Sequence, residues 1–253
     1  MDGRRIVAIG GGGFSARPGN PELDRYVLEQ ATSSTPRICL LPTASGDPDD
    51  QIQRFYRAFH DRDCVPSHLS LFRLGARPVD VRKRLLSQDI IYVGGGSLAN
   101  MLAIWRVHKL DEILYEAWRR EIVLCGISAG SMCWFRAGVT KSHGAPQAVD
   151  GLGFLPYTNS VHWNSEPERR IVFLGSIRSG ALRPGFAVDD GTALLFAGTE
   201  LVEGVRTQRS AGAWFVDDHG EAPIDCTELS PTPTTDAQLL SIEEFRQARR
   251  ITS

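Results

Sequence analysis

In the first half of the chain, short apolar runs rich in Val, Ile and Leu alternate with longer amphipathic stretches. The apolar runs predict strands covered on both faces, and the amphipathic stretches predict helices. This alternation is typical of βαβ units that build a parallel sheet. The predicted strands are residues 5–9, 37–41, 67–72, 89–93 and 122–125, and the predicted helices are residues 21–32, 49–62, 79–87 and 98–120, the last broken near His108.

The second half of the chain consists of shorter, turn-rich segments. We expect one helix at residues 168–179 and further strands of the same sheet at residues 159–163, 185–188, 193–196, 201–205 and 213–216. A loop rich in Pro and Thr at residues 230–235 leads to a final short helix at residues 241–250. The pattern predicts the α/β class, with one domain over residues 1–229 and a loop and helix over residues 230–253 that pack on it or trail from it.

Charge and composition narrow the classes of partner. The 253-residue chain carries a formal net charge of -2 and has no block dominated by Lys and Arg, so nucleic acid and anionic membrane are not expected partners. The apolar stretch at residues 6–9 is too short for a signal peptide or a membrane span, and we expect a cytoplasmic protein. An odd number of scattered cysteines predicts buried thiols and no metal site: Cys39, Cys64, Cys125, Cys133 and Cys226.

The segment 126–130 has the pattern Gly-x-Ser-x-Gly around Ser128. A β-type run precedes it, and residues 129–136 are compatible with a helix. This context suits a tight strand-to-helix turn that exposes a nucleophilic serine hydroxyl. The backbone N–H of Ala129 would then face a developing oxyanion.

A second glycine-rich turn, Gly94-Gly95-Gly96, follows the preceding strand. If the two strands are neighbours, this loop lies beside Ser128 and supplies a second oxyanion donor. Gly96 is the first candidate and Gly95 the next.

A serine nucleophile needs a general base, because its own pKa leaves almost no alkoxide at neutral pH. His162 follows the β-type run 158–161 and should emerge at a strand end of the sheet that carries Ser128. His143 and His219 stay open as alternatives. The remaining histidines are expected on helix faces or strand ends without a catalytic role: His60, His68 and His108.

The glycine-rich segment 11–16 matches a dinucleotide-binding turn after the first strand. The second strand, however, ends in Leu41-Pro42-Thr43-Ala44 without the acid that would hold a ribose. We therefore expect no nucleotide cofactor.

Taken in order, several segments resemble the peptidase E family of serine peptidases, whose relatives include cyanophycinase and, more remotely, the class I glutamine amidotransferase fold. The resemblance spans residues 4–216 and rests on segments 94–97, 126–131, 151–156 leading to His162, and 187–191. It implies a three-layer α/β domain with a mostly parallel central sheet, a Ser128–His162 pair, and an oxyanion bound by Gly96 and Ala129. It further implies a small peptide substrate and no cofactor, and we allow for a homodimer.

The sequence departs from the family pattern at the orienting acid. The segment after the nucleophile helix, residues 139–144, contains Lys141 and no carboxylate. Without an orienting acid the imidazole adopts the wrong tautomer, which can cost several orders of magnitude in rate. Two other carboxylates are candidates: Glu166, placed first because it is near His162 in sequence, and Asp190, placed second.

A second departure concerns specificity. Pro167 stands where the aspartyl-dipeptidase branch has a substrate-binding arginine, and Arg169 and Arg170 follow it. We therefore do not predict strict Asp-X cleavage. The leading hypothesis is a dipeptidase or exopeptidase that forms an acyl-enzyme on Ser128.

Three alternatives accompany this hypothesis. An α/β-hydrolase-type esterase would use Ser128 with Asp190 or Asp217 and His219. A non-catalytic relative, marked by Lys141, would bind a peptide or an amino acid. An amidotransferase-type cysteine nucleophile is disfavoured, because Cys125 precedes the turn and Cys133 lies in the helix.

Overall fold

The structure is a computed structural model that describes residues 2–16 and 19–231. The predicted helix at residues 241–250 and most of the segment 230–253 lie outside the described residues, and the division at residue 229 stays a prediction. The strands are β1 (Arg5–Ile9), β2 (Arg37–Leu41), β3 (Val65–His68), β4 (Ile90–Val93), β5 (Val123–Ile127), β6 (Phe135–Thr140), β7 (Gln147–Asp150), β8 (Leu155–Val161), β9 (Gly185–Val188), β10 (Thr192–Ala197), β11 (Glu200–Arg206), β12 (Ala213–Val216), β13 (Glu221–Ile224) and β14 (Cys226–Glu228). The helices are α1 (Pro21–Glu29), α2 (Asp49–Phe59), α3 (Val81–Leu86), α4 (Leu98–Val107), α5 (Leu110–Arg119), α6 (Ala129–Met132) and α7 (Pro167–Arg178).

The central sheet has eight strands in the order β14-β11-β10-β1-β5-β4-β2-β3. The five strands from β1 to β3 in this order run parallel, whereas β10 pairs antiparallel with β1 and β11 antiparallel with β10. The mostly parallel central sheet expected from the apolar runs is therefore confirmed. The carboxyl ends of its parallel strands lie along one side of the sheet, where the loops after β1, β4 and β5 meet.

Both faces of the central sheet are covered, which explains why its strands are almost wholly apolar. Side chains such as Val7 and Ile9 pack against α1 and α2 on one face. The alternate residues Ile6 and Ala8 pack on the other face, in a core that includes residues of α3, α4 and α5. The central sheet and the two layers that cover it therefore form the three-layer arrangement that was expected.

A second sheet of six strands, in the order β13-β12-β9-β8-β6-β7, packs beside α4 and α5. The expectation that residues 159–163, 185–188 and 213–216 extend the central sheet is wrong, because β8, β9 and β12 belong to this second sheet. Only β10 and β11 join the central one. Residues Phe173 and Ile177 of α7 cover the opposite face of the second sheet.

Smaller corrections concern element ends. The third strand is β3 at Val65–His68 rather than residues 67–72, and a 3-10 turn follows at Leu71–Arg73. This strand lies at the sheet edge, the position at which Pro66 is tolerated in a strand. The break near His108 is confirmed: Lys109, with φ 54°, separates α4 from α5.

Among the described residues, no helix is long and apolar enough to cross a bilayer.

Candidate active site

Ser128 lies on a strained turn between β5 and α6. Its backbone has φ 56° and ψ -114°, a region that non-glycine residues rarely adopt outside functional turns. The flanking glycines are needed because a Cβ on Gly126 would lie 2.0 Å from the carbonyl oxygen of Gly130. Helix α6 ends at Met132 and β6 begins at Phe135, so the helix is shorter than the expected 129–136.

His162 follows β8 directly and reaches Ser128 from the second sheet. Its Nε2 lies 2.8 Å from the Ser128 Oγ. The expected pairing of these two side chains is therefore present, although the expectation that both come from one sheet is wrong. His162 also has a positive φ of 57°, which marks a second strained turn at the site.

Asp190 is the carboxylate that meets the imidazole, with its Oδ1 2.5 Å from the His162 Nδ1. Asp190 is held in turn by the Ser165 hydroxyl, which donates to its Oδ2 at 2.7 Å, and by its own N–H, which donates to the Asn164 Oδ1 at 3.2 Å. Burial raises the pKa of Asp190, but the hydrogen bond and charge of His162 outweigh burial and hold this pKa below its usual value. An ionised Asp190 accepts a hydrogen bond from the Nδ1–H, so Nε2 carries no proton and can accept the hydrogen bond of the Ser128 hydroxyl.

Glu166, ranked first from its nearness in sequence, does not fill this position. It lies at the start of α7, where its Oε2 accepts from Arg169 Nε at 2.8 Å and lies 3.7 Å from Lys141 Nζ. The Glu166 carboxylate thus binds two cationic side chains, whereas the carboxylate at the imidazole belongs to Asp190. In the structure, Asp190 and not Glu166 is thus the carboxylate beside His162.

The glycine loop after β4 lies beside Ser128, as expected from neighbouring strands β4 and β5. A Cβ on Gly95 would lie 3.3 Å from the Ser128 Cβ, so this residue borders the serine. Gly96 has φ 142° and packs against the Ala44 carbonyl. Ala129 is the first residue of α6, and the N–H of a first helical residue has no acceptor within its own helix.

The site lies where the carboxyl ends of the two sheets meet. Gly11, just after β1 of the central sheet, forms a parallel bridge with Asp190, just after β9 of the second sheet. Within the second sheet, β8 and β9 are parallel with Val161 opposite Val188, which places the residues after both strands side by side.

Three further residues that were not expected at the site contact Asp190: Asn164, Ser165 and Gly11. A signal for the first two was present, because two small polar residues follow the candidate base almost directly.

Other candidate groups lie apart from this arrangement. The His219 side chain is 88% exposed and lies near Asp218, and the backbone N–H of His219 donates to Asp217. Burial raises the pKa of the Cys125 and Cys133 thiols well above the usual value, which suits inert thiols. All five cysteines are free and buried. Residues 2–16 and 19–231 contain no group of three or more His, Cys, Asp or Glu suited to a metal ion.

A serine on a strained strand-to-helix turn, bonded to a histidine that is bonded to a carboxylate, is the arrangement of serine hydrolases on α/β folds. The model of peptidase family S51 matches residues 6–204 of the chain. The chain belongs to peptidase family S51, and it is a serine-type peptidase.

Individual relatives agree with this family. The chain is 46% identical over 213 residues to the uncharacterized peptidase YgaJ of Bacillus subtilis strain 168, covering 84% of this chain and 92% of YgaJ.

Two solved structures share the fold. The crystal structure of a peptidase from an acI-B1 actinobacterium has a TM-score of 0.67 and 19% identity, covering 90% of this chain and 97% of that one. A candidate peptidase E protein from Listeria monocytogenes EGD-e has a TM-score of 0.59 and 15% identity, covering 81% and 99%. The expected fold of the class I glutamine amidotransferase type is confirmed.

Proposed function

We propose that the protein is a dipeptidase or exopeptidase that cleaves small peptides through an acyl-enzyme on Ser128. The observation that carries this proposal is the continuous chain of hydrogen bonds from the Ser128 hydroxyl through His162 to Asp190. His162 Nε2 takes the hydroxyl proton as Ser128 Oγ attacks the scissile carbonyl, and then gives it to the leaving amine. Water then attacks the ester carbonyl as the same nitrogen takes its proton, and Nε2 returns this proton to Ser128 Oγ as the acyl–oxygen bond breaks.

The negative oxygen of the tetrahedral intermediate needs donors aimed at it. We assign the first to the Ala129 N–H, at the start of α6, and the second to the glycine loop at Gly95 or Gly96. The position of Gly95 against Ser128 supports a donor from this loop. Backbone donors of this kind typically contribute roughly 3–4 kcal/mol each to the transition state.

The charges near the site argue against strict cleavage after Asp. Arg169 is buried and bound to Glu166, and Arg170 is bound to Glu221 at 2.8 Å. Pro167 occupies the first turn of α7 and offers no charge. Neither arginine is free to bind an acidic substrate side chain, which supports a broader small-peptide preference.

Lys141, the residue behind the non-catalytic alternative, contacts Glu168 at 3.3 Å as well as Glu166. Its ion pairs give it a structural role, and Asp190 supplies the carboxylate that its segment lacks.

A cytoplasmic location and a homodimer remain predictions from the sequence.

A peptide screen tests the proposal. Dipeptides and short peptides with free N-termini are incubated with wild type and with Ser128→Ala, and cleavage is followed by mass spectrometry. We expect cleavage by the wild type only, together with labelling of Ser128 by a fluorophosphonate probe. If no peptide is cleaved in a Ser128-dependent way, the proposal fails.

Two histidine variants separate the leading function from the esterase alternative. His162→Ala should lose cleavage and probe labelling, while His219→Ala, which changes an exposed side chain, should keep both. The reverse result would favour the esterase arrangement.

A further inference from the structure

The glycine-rich loop after β1, residues 10–13, has no part in the mechanism described so far. It resembles a nucleotide-binding turn in sequence, yet the Cα of Gly11 lies against the site. A Cβ built on Gly11 would lie 1.9 Å from the Asp190 Oδ1 and 3.0 Å from the His162 Cε1. This Oδ1 is the atom that accepts the hydrogen bond from the His162 Nδ1–H. Gly11 therefore borders both members of this hydrogen bond.

The backbone of the same loop holds the backbone of the Asp190 turn. The Gly11 carbonyl accepts the N–H of Gly191 at 2.8 Å, and the Gly10 N–H donates to the Thr192 carbonyl at 3.0 Å. These two bonds join the end of β1 to the segment that follows β9. The loop thus fixes the position of Asp190 from its main chain and leaves no room for a side chain.

The loop is itself anchored at its far end. The Phe14 N–H donates to the Oδ1 of Asp24, a carboxyl that is only 1% exposed, at 3.2 Å. The Tyr92 hydroxyl lies 3.5 Å from the same oxygen. A loop held at both ends can resist displacement by its neighbours.

We propose that Gly11 is a positioning residue, whose bare Cα lets the Asp190 carboxylate meet the His162 Nδ1. The inference rests on the proposed function, in which Asp190 orients His162. The φ of Gly11 lies outside the left-handed region, so alanine is compatible with its backbone, and its nearest conflicts are with the Asp190 and His162 side chains. Since real Cβ contacts essentially never fall below 3.0 Å, Gly11→Ala must shift Asp190 by more than about 1 Å.

A shift of this size should lower kcat by about 10²-fold and leave KM within about threefold. The matched control is Gly19→Ala, because among the described residues a Cβ on Gly19 comes within 4 Å of the Gly13 carbonyl alone, at an ordinary 3.4 Å. The control should keep wild-type kcat. Melting temperatures of both variants are recorded, so that rates are compared on folded protein.

A double-mutant cycle separates positioning from a general effect on the fold. In an Asp190→Ala background the clashing oxygen is gone, so adding Gly11→Ala should cost less than about twofold in the residual kcat. A further loss of about 10²-fold in that background would overturn the proposal, because the effect would then not pass through Asp190.

A spectroscopic readout does not depend on turnover. A short bond between an imidazole N–H and a carboxylate moves the proton resonance of Nδ1 far downfield. We expect this resonance in wild type, Ser128→Ala and Gly19→Ala, and its loss in Asp190→Ala. Gly11→Ala should lose it or move it upfield.

The two proposals fail separately in this experiment. A Gly11→Ala spectrum identical to that of the wild type would overturn the positioning role even if the enzyme cleaves peptides. A protein that cleaves no peptide but loses the resonance in Gly11→Ala would keep the positioning geometry and refute the peptidase proposal.

Discussion

Replacing Asp190 by asparagine tests how the three side chains of the site act together. The change preserves the shape of the side chain and removes its charge. In the wild type, Oδ1 lies 2.5 Å from the His162 Nδ1 and Oδ2 accepts from the Ser165 hydroxyl at 2.7 Å. An amide has one oxygen, so asparagine presents its NH₂ to one of these two partners.

The orientation of the amide sets the size of the effect. If its NH₂ faces His162, the imidazole proton moves to Nε2, which can then no longer accept from Ser128, and kcat falls by about 10⁴-fold, or about 5.5 kcal/mol. If its oxygen faces His162, the hydrogen bond persists without the charge, which costs about 1.5–3 kcal/mol, or roughly 10- to 10²-fold. The Ser165 hydroxyl can rotate to suit either orientation, so we expect a loss of about 10- to 10⁴-fold.

The assay is the initial rate of cleavage of a peptide found in the screen, with Glu166→Gln as the comparison. Glu166→Gln removes the negative charge that faces a buried arginine, Arg169, and should lower the melting temperature while kcat stays within about threefold of wild type. Asp190→Asn should show the opposite pattern. The assignment of Asp190 is refuted if its variant keeps more than about a tenth of kcat, or if Glu166→Gln loses as much.

Three further predictions concern stability and folding. Burial raises the pKa of Asp24 to about 7, so the folded state keeps a proton that the unfolded chain loses near pH 4, and the free energy of unfolding falls as pH rises from about 4 to about 7. Asp24→Asn removes this pH dependence. Between pH 4 and pH 8, the free energy of unfolding of the variant, measured in urea, should rise by up to about 4 kcal/mol relative to that of wild type. If the difference between variant and wild type is the same at both pH values, the burial argument is contradicted. Phe55→Ala deletes a fully buried ring that contacts the Phe14 ring at 5.3 Å between centroids and should cost about 3–5 kcal/mol by the same measurement; a cost below about 1 kcal/mol would contradict it. Gly126→Ala places a Cβ 2.0 Å from a carbonyl oxygen and should abolish fluorophosphonate labelling, and wild-type labelling would show that the turn can open without loss.

Local patterns in the sequence were sufficient for the parallel half of the central sheet. The apolar runs of β1, β2 and β5 are buried on both faces, and a strand buried in this way can be identified from its almost wholly apolar composition. The turn at Ser128 was equally visible, because Gly126 has to be small to avoid the Gly130 carbonyl only four residues away.

The second sheet could not be assigned in the same way. Residues 185–188 and 213–216 were correctly predicted as strands, but their sheet was wrong. Strand propensity reports that a segment suits a pleated, partly buried surface, and it does not specify the partner strand. The partner is set by long-range pairing, as between β9 and β12.

Sequence patterns alone were sufficient to find the nucleophile candidate, the histidine and the glycine loop beside them, because each follows a recognisable strand and the order of the segments resembles a family. The carboxylate that meets His162 is set instead by the three-dimensional fold. Glu166 is four residues away in the chain, but the start of α7 directs it to Arg169. Asp190 is 28 residues away, and the parallel pairing of β8 with β9 brings it within hydrogen-bond distance. A hydrogen bond requires its donor and acceptor to lie about 3 Å apart. Strand pairing brings the two groups to this distance, and the separation of two residues in the sequence does not reveal which strands pair.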